Sequence, residues 1–265
     1  MSALIVHVEG VGLWSPQLGD FAALRAALRG QAVAPSPARP PATLLPANER
    51  RRAPESVLLA AEVASQAVAM SGRDAATLAC VFASSHGDQP IMDYMCAILA
   101  SAPAELSPTR FHNSVHNAPA GYWTIATGCH APSNAVCAQR ASFGAGLLEA
   151  ASLALADARP VLLVCSDTAG SGPLAEVTAS AAPFGCALVL SPQAGASTLG
   201  RLALHLCPGS IAAASSASVV PADWVAASPS ASALPLLALL AQGAGRCRLM
   251  AAGSLGMDVH LEKGT

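Results

Sequence analysis

The sequence predicts a layered α/β fold built on a sheet with both faces buried. Short apolar segments, such as residues 161–165 (Val-Leu-Leu-Val-Cys) and 186–190, alternate along the chain with longer segments of helical periodicity. This alternation is typical of strands that are connected by helices. Of the 265 residues, 53% are hydrophobic and 11% are charged, so the chain can form a sizeable core.

The first half of the chain begins with a predicted strand at residues 5–13 and a helix at residues 21–29 that ends at Gly30. Residues 31–46 are rich in proline and alanine and are predicted to be an irregular loop. A long helix follows at residues 54–70. Pro54 and Glu55 favour its first turn, and Gly72 favours its end.

The remaining elements follow from short apolar runs and from helical spacing. Strands are predicted at residues 78–84, 134–137, 160–165, 184–191, 202–207, 247–252 and 257–262. Helices are predicted at residues 90–99, 121–127, 143–158 and 234–241. The last two strands are joined by residues 253–256 (Gly-Ser-Leu-Gly), which predicts a hairpin.

The composition changes at Pro192, after which serine, alanine and glycine dominate. We therefore divide the chain into residues 1–192 and a shorter second half, residues 193–265, that completes the same domain. The sequence leaves the fold of residues 208–231 open.

Charge and hydropathy exclude several function classes. The net charge is −2 and the 14 basic residues are dispersed, which argues against a nucleic-acid partner, and the cluster Arg50, Arg51 and Arg52 is predicted to be a solvated helix start. The longest apolar run, residues 233–240, is too short to span a membrane. Residues 1–10 lack the pattern of a secretory signal, so we expect the protein in the cytoplasm.

The eight cysteines contain no C-x-x-C pair, and several lie inside apolar runs. Most are therefore predicted to be small buried side chains rather than metal ligands or redox groups.

Several segments, taken in order, resemble the β-ketoacyl synthase family. They are residues 6–12 (Val-His-Val-Glu-Gly-Val-Gly), 51–60, 121–125 (Gly-Tyr-Trp-Thr-Ile) with Gly128 and Pro132, and 185–190 with Asp167. The resemblance covers residues 1–192. It implies the thiolase-like (ketosynthase) fold of that family, with layered α/β sheets and a shortened second half.

Residues 111–123 (Phe-His-Asn-Ser-Val-His-Asn-Ala-Pro-Ala-Gly-Tyr-Trp) resemble the chain-length-factor-like ketosynthase homologues of aryl polyene and xanthomonadin pigment clusters. This resemblance implies two partners. One is a catalytically complete ketosynthase, bound as a heterodimer, and the other is an acyl carrier protein that acts through the complex.

A condensing enzyme of this family carries a cysteine at the turn between a strand and a buried helix, where the helix N-terminus stabilises the thiolate. Counted without gaps from residues 121–132, that position falls on Arg140 in this chain. A shift of one residue places Gln139 there. A glutamine at this position resembles the one found in the chain-length factors of aromatic polyketide synthases. Neither side chain can accept an acyl group, so no catalytic residue is predicted. Arg140 is expected to be buried where the thiol would lie, and it would then need a paired acceptor.

Cys137 is the alternative nucleophile, three residues before the expected position. Because side chains alternate along a strand, Cys137 is expected to point away from the turn, without a helix N-terminus to lower its pKa. A structural thiol is the favoured interpretation.

The second half also lacks a recognisable pair of catalytic histidines. Its histidines, His205 and His260, lie inside predicted strands, and residues 254–257 resemble a degraded form of the family's closing loop. In the family, the two catalytic histidines decarboxylate the malonyl unit and stabilise the enolate and the oxyanion, so the oxyanion machinery is predicted to be missing as well.

Three histidines, His112, His116 and His130, lie close together in sequence, but no carboxylate or thiolate pair follows at ligand spacing. We expect His112 and His116, which could share a helix face, to form interface hydrogen bonds rather than a metal site. Residues 84–88 (Ser-Ser-His-Gly-Asp) are predicted to be a turn. Neither a phosphate loop nor a dinucleotide fingerprint occurs, so no cofactor is expected.

Together these features predict a non-catalytic chain-length factor that pairs with a ketosynthase across residues 133–137 and shapes its acyl tunnel. Residues predicted to line the tunnel or the interface are Met92, Met95, Phe111, His112, His116, Ser133, Asn134 and Cys137. Two alternatives remain: an acyltransferase or condensing enzyme that uses Cys137, and a subunit that only stabilises the ketosynthase. The acyl substrate, the product length and any assembly beyond a dimer are left open.

Overall fold

The computed structural model describes residues 3–209 and 220–264, in which eight strands form one sheet. The strands are β1 (Leu4–Trp14), β2 (Ala79–Ala83), β3 (Ser133–Val136), β4 (Val161–Asp167), β5 (Phe184–Ser191), β6 (Gly200–Pro208), β7 (Gly245–Ala252) and β8 (Leu255–Lys263). Their spatial order is β3-β2-β4-β5-β1-β6-β8-β7. Strand β2 is parallel to β3 and to β4, and every other pair is antiparallel.

Ten α-helices surround this sheet in the described residues. They are α1 (Phe21–Leu28), α2 (Ala47–Arg52), α3 (Glu55–Ser71), α4 (Gln89–Ser101), α5 (Pro108–His112), α6 (Ala118–Thr127), α7 (Ser142–Ala156), α8 (Ala175–Thr178), α9 (Ala222–Ala226) and α10 (Leu234–Gln242). Helices α3 and α6 pack on one face of the central strands, and α7 packs on the other. Strands β2, β4 and β5 are consequently buried throughout, as their continuous apolar sequences predict.

Glycines in β1 allow helix α3 to lie against the backbone of that strand. A Cβ atom added at Gly10 would lie 2.0 Å from the carbonyl oxygen of Ala67, and one added at Gly12 would lie 1.9 Å from that of Val63. Only glycine fits at either position. The alternating glycines of residues 10–12 therefore fix how closely α3 approaches the sheet.

Helix α7 lies between the central strands and the C-terminal strands. It contacts β2 and β4 on one side and β7 on the other. In a flat sheet, β4 and β7 would be five strand spacings apart, or about 24 Å. The strands β6, β8 and β7 must therefore curl over α7.

The structure confirms the eight predicted strands, the six predicted helices and the hairpin formed by β7 and β8. Residues 31–46 contain neither a helix nor a strand, as predicted. The short helices α2, α5, α8 and α9 were not predicted as separate elements. Arg50, Arg51 and Arg52, predicted to be a helix start, instead form the last turn of α2. The proposed division at residue 192 falls between β5 and β6, and both of these strands pair with β1 in the same sheet. Residues 210–219, within the segment that the sequence left open, lie outside the described residues.

Candidate functional site

The turn between β3 and α7 is the centre of the candidate site. After β3, residues Gln139–Ala141 form a single 3-10 turn, and α7 begins at Ser142. Gln139 has a φ of 51°, in the left-handed region that non-glycine residues rarely adopt. A strained residue at a strand-to-helix turn is the backbone geometry of a nucleophile elbow.

Two buried hydroxyl groups hold this turn through the carbonyl oxygen of Gln139. Ser85 Oγ donates to it at 2.7 Å and Ser142 Oγ at 2.6 Å. The Ser142 hydroxyl in turn accepts a hydrogen bond from the Ala138 amide at 3.0 Å. These hydrogen bonds fix the Gln139 carbonyl group and the Ala138 amide, and they thereby hold the turn in its left-handed conformation.

Asp167, at the end of β4, anchors the loop that carries Ser85. Its carboxylate is buried, and Oδ1 accepts hydrogen bonds from Ser84 Oγ at 3.0 Å and from the backbone amides of Ser85 at 2.7 Å and His86 at 3.3 Å. Its Oδ2 accepts from Ser230 Oγ. A buried carboxylate needs such donors to offset its desolvation. Asp167 therefore connects the ends of β2 and β4 with the turn that precedes α10.

The side chain of Gln139 at this turn is exposed, and so is that of Arg140. The expectation of a buried Arg140 is wrong, because the 3-10 turn directs residue 140 outward. Among the described residues, its guanidinium has neither an ion pair nor a hydrogen bond.

Cys137 lies just beyond the end of β3 and is also exposed. Its thiol donates to the carbonyl oxygen of Ser85 at 3.3 Å. Helix α7 begins five residues later, so Cys137 is not at the helix N-terminus. By contrast, burial raises the pKa of the Cys165 thiol, and the nearby Asp167 carboxylate raises it further, so this thiol stays protonated.

Four of the eight cysteines are buried, which is half of them and not the majority that the sequence predicted. They are Cys80, Cys129, Cys165 and Cys186. Cys96 and Cys137 are exposed, and Cys207 and Cys247 are intermediate. All eight are free thiols.

Strand β3 forms one edge of the sheet, and in the described residues it pairs with β2 alone. The side chains of Ser133 and Asn134 are exposed, and Asn134 Nδ2 donates to Glu149 Oε1 of α7 at 2.8 Å. An open edge of this kind presents unpaired backbone groups to a partner strand.

Met92 and Met95 lie on α4, whereas Phe111 and His112 lie on α5, where they line a surface groove of about 690 Å³. Phe111 is 58% exposed, and Met92 is exposed to a smaller degree. Met95 is half-buried. These exposures leave Met92 and Phe111 accessible to a partner.

His112 and His116 do not share a helix face, contrary to the expectation, because α5 ends at His112 and His116 lies in the turn before α6. His116 Nε2 is 3.1 Å from the carbonyl oxygen of Ser84. His205 and His260 lie on β6 and β8, where they line a different groove. Over residues 3–209 and 220–264, no three histidine, cysteine or acidic side chains are grouped in a way that could hold a metal ion.

Sequence reasoning did not identify Ser85, Ser142 and Ser230 as parts of this site. Asp167 entered only through the family resemblance. The available signal was weak: serines directly follow the predicted strand at 78–84 and directly precede the apolar helix at 143–158.

Within the described residues, no helix is both long and apolar enough to cross a membrane.

The sequence matches the family model described as beta-ketoacyl synthase, N-terminal domain, over residues 25–253. No curated protein sequence matches it significantly.

Solved structures with similar folds include ketosynthases and their chain length factors. One is the complex of the ketosynthase ApeO with its chain length factor ApeC from Xenorhabdus doucetiae, with 23% identity over 96% of this chain and 98% of the other, and a TM-score of 0.71. A second is the ishigamide ketosynthase/chain length factor, with 16% identity, coverage of 98% and 99%, and a TM-score of 0.73. A third is a β-ketoacyl synthase from Burkholderia phymatum, with 11% identity, coverage of 99% and 100%, and a TM-score of 0.71. The chain therefore has the thiolase-like fold of ketosynthases.

Proposed function

Because the chain belongs to the β-ketoacyl synthase family, with the match in that family's N-terminal domain, we propose that it is a chain-length factor without catalytic activity of its own. The observation that carries the proposal is the elbow before α7. Its exposed side chains at residues 139 and 140 are a glutamine and an arginine, neither of which can accept an acyl group. The elbow keeps its strained geometry without a nucleophile.

Of the two candidate positions, we assign the nucleophile position to Gln139. It has the left-handed φ, and its carbonyl oxygen receives the two serine hydrogen bonds. A conformation that costs free energy and is held by buried polar groups favours a functional role for the residue that adopts it.

The proposed partner is a complete ketosynthase, bound along strand β3 as a pseudo-twofold heterodimer. The exposed edge and the exposed side chains of Ser133, Asn134 and Cys137 support this pairing. Acyl carrier protein would reach the complex through the ketosynthase. The resemblance of residues 111–123 favours aryl polyene synthesis as the pathway. The similarity to the complex of ApeO with its chain length factor ApeC supports the pairing with a ketosynthase. The eight free thiols are compatible with a reducing cytoplasm.

In this assembly, Met92, Met95 and Phe111 would close the far end of the partner's acyl tunnel. Phe111→Ala is expected to lengthen the products, because it removes an exposed aromatic side chain that would close the end of the tunnel. Leu199→Ala is a matched control: Leu199 is also an exposed apolar residue, at 38%, but it lies before β6. Product lengths from the reconstituted complex, measured by mass spectrometry, test the role. Unchanged lengths with the Phe111 variant and with Met92→Trp would favour the purely stabilising subunit.

Intact-mass measurement separates the proposal from an enzyme that uses Cys137. The chain is incubated with an acyl-charged carrier protein, both alone and with a co-expressed ketosynthase. We expect the acyl adduct on the ketosynthase only. An adduct on this chain that disappears in Cys137→Ala, but persists in the control Cys96→Ala, whose cysteine is also exposed, would overturn the proposal.

A further inference from the structure

A second cavity adjoins the elbow on the side of the C-terminal strands. It has a volume of about 230 Å³ and lies between the start of α7, the segment 225–235 and β7. Its lining residues are Arg140, Phe143, Gly144, Val225, Ser228, Pro229, Ser232, Pro235, Arg248, Leu249 and Met250. The tunnel candidates Met92, Met95 and Phe111 are not among them.

The polar part of this lining is positive. Arg140 and Arg248 are its charged members, and none of the described lining residues is acidic. Arg248 is held by Asp258, through Nε at 2.7 Å and Nη2 at 2.9 Å, and this carboxylate neutralises its charge. Arg140 has no such partner among the described residues. The cavity therefore retains one uncompensated positive charge.

Helix α7 adds to this positive potential. Its 15 residues begin at the cavity, and its N-cap residue, Ala141, provides no side-chain hydrogen bond. The Ser142 hydroxyl is already occupied by the Gln139 carbonyl. The amides of the first turn, including those of Phe143 and Gly144, are thus at the positive end of the helix dipole without a side-chain acceptor.

Ser228 provides an independent sign of an absent partner. Only 2% of the residue is exposed, and its Oγ has no hydrogen-bond partner among the described residues, although it belongs to the cavity lining. A buried hydroxyl group is rarely left unsatisfied in a native protein. An acceptor in the cavity, reached by rotation of the Ser228 side chain, would satisfy it.

The remaining walls are apolar and are formed by aromatic, aliphatic and proline side chains, Phe143, Val225 and Leu249 among them. A ligand that fits both parts needs an anionic head and an apolar body. Inorganic phosphate would leave the apolar walls uncovered, and a neutral lipid would leave Arg140 and Ser228 without an acceptor.

We propose that this cavity binds a small monocarboxylic acid with an apolar chain or ring, its carboxylate lying between Arg140, Ser228 and the N-terminus of α7. The site is distinct from the acyl tunnel of the partner. It does not depend on the proposed pairing, so it can be tested on the full-length chain alone.

Isothermal titration calorimetry with octanoate and hydrocinnamate tests the site. We expect saturable binding at one site per chain. The methyl ester of each acid, which lacks the charge, and inorganic phosphate, which lacks the apolar body, are expected to bind at least tenfold more weakly. Binding of the ester with equal affinity, binding of phosphate with equal affinity, or the absence of saturable binding would each overturn the proposal.

Two variants and one control connect the binding to the named residues. Arg140→Gln is expected to weaken carboxylate binding at least tenfold, and Ser228→Ala about threefold. Arg201→Gln is the matched control, because Arg201 is paired with Glu262 on the β6–β8 ladder and does not line the cavity. Thermal unfolding first shows that each variant is folded. An Arg140 variant that is folded and binds octanoate like the unsubstituted chain would exclude the site.

Discussion

At the scale of single residues, Gln139 combines an unfavourable backbone conformation with a side chain that cannot perform acyl transfer. A left-handed conformation at a non-glycine residue costs about 1–2 kcal/mol. The structure offsets this cost with the hydroxyls of Ser85 and Ser142 on the Gln139 carbonyl oxygen. Strain of this kind persists where the surrounding structure over-determines it.

Replacement of Gln139 by glycine and by alanine removes the glutamine side chain in both variants. A difference in stability between the two variants therefore reports the backbone strain. Gln139→Gly is expected to be more stable than Gln139→Ala by about 1 kcal/mol, because only glycine adopts a φ of 51° without cost. Urea unfolding measures the difference. The neighbouring Ala138, with a φ of −142°, is the control, and there the glycine variant should be the less stable one. Equal stability of the two Gln139 variants would contradict the strained elbow.

The thiols differ in reactivity according to their burial. Burial raises the pKa of Cys80 to about 12, with the neighbouring Cys129 as a lesser cause, so at pH 8 this group is a protonated and inaccessible thiol. Cys96 and Cys137 are exposed. When the folded chain is titrated with a disulfide reagent at pH 8, two thiols per chain are expected to react rapidly. Cys137→Ser should remove one of them, and rapid modification of Cys80 in the folded chain would contradict the structure.

At the scale of secondary structure, the sequence predicts elements well where apolar periodicity is strong and poorly where elements are short. Strands β4 and β5 follow from continuous apolar runs, and α3 follows from Pro54, its apolar spacing and Gly72. Helices α2, α5, α8 and α9 have at most six residues and show no such pattern. Their formation depends on tertiary contacts that the local sequence does not encode.

The candidate site is predictable only in part for the same reason. Its position at the start of α7 follows from the family resemblance. The hydrogen bonds that join Ser85, Asp167 and Ser230 to the turn span 54 to 82 residues along the chain, so no local pattern indicates them. The outward direction of Arg140 likewise depends on the 3-10 turn, which sequence spacing does not predict.

The contact between α7 and β7 gives a prediction for two helix glycines. A Cβ atom at Gly144 would lie 1.9 Å from the carbonyl oxygen of Met250, whereas a Cβ atom at Gly121 of α6 would meet nothing within 4 Å. Gly144→Ala is therefore expected to lower the free energy of unfolding by about 1–3 kcal/mol. Gly121→Ala is expected to raise it by roughly 0.5–1 kcal/mol through helix propensity. Urea unfolding of both variants measures the contrast, and similar effects of the two substitutions would contradict close packing of α7 against β7.

At the scale of the whole molecule, the sheet curls over α7 at one end and is open at the other. Strand β7, at one edge, packs on α7 and α10, whereas β3, at the opposite edge, has three exposed residues and one half-buried residue. The amide of Cys80 donates to the Pro132 carbonyl oxygen, and that of Ser84 donates to the Val136 carbonyl oxygen. Because backbone groups alternate in direction along a strand, the N–H and C=O groups of Ser133 and Ala135 point away from β2, toward the open edge.

This alternation allows the proposed pairing to be broken without unfolding the chain. Proline at residue 135 removes an N–H that faces the open edge, and proline is tolerated at such positions of edge strands. Ala135→Pro is therefore expected to fold with nearly unchanged stability but to weaken binding of the co-expressed ketosynthase at least tenfold in a pull-down assay. Ala135→Ser, which keeps the N–H, is the matched control, whereas Asn134→Pro removes an N–H directed at β2 and should lower stability instead. If Ala135→Pro binds the ketosynthase as tightly as Ala135→Ser does, the partner does not pair with β3, and a different face of the chain must carry the interaction.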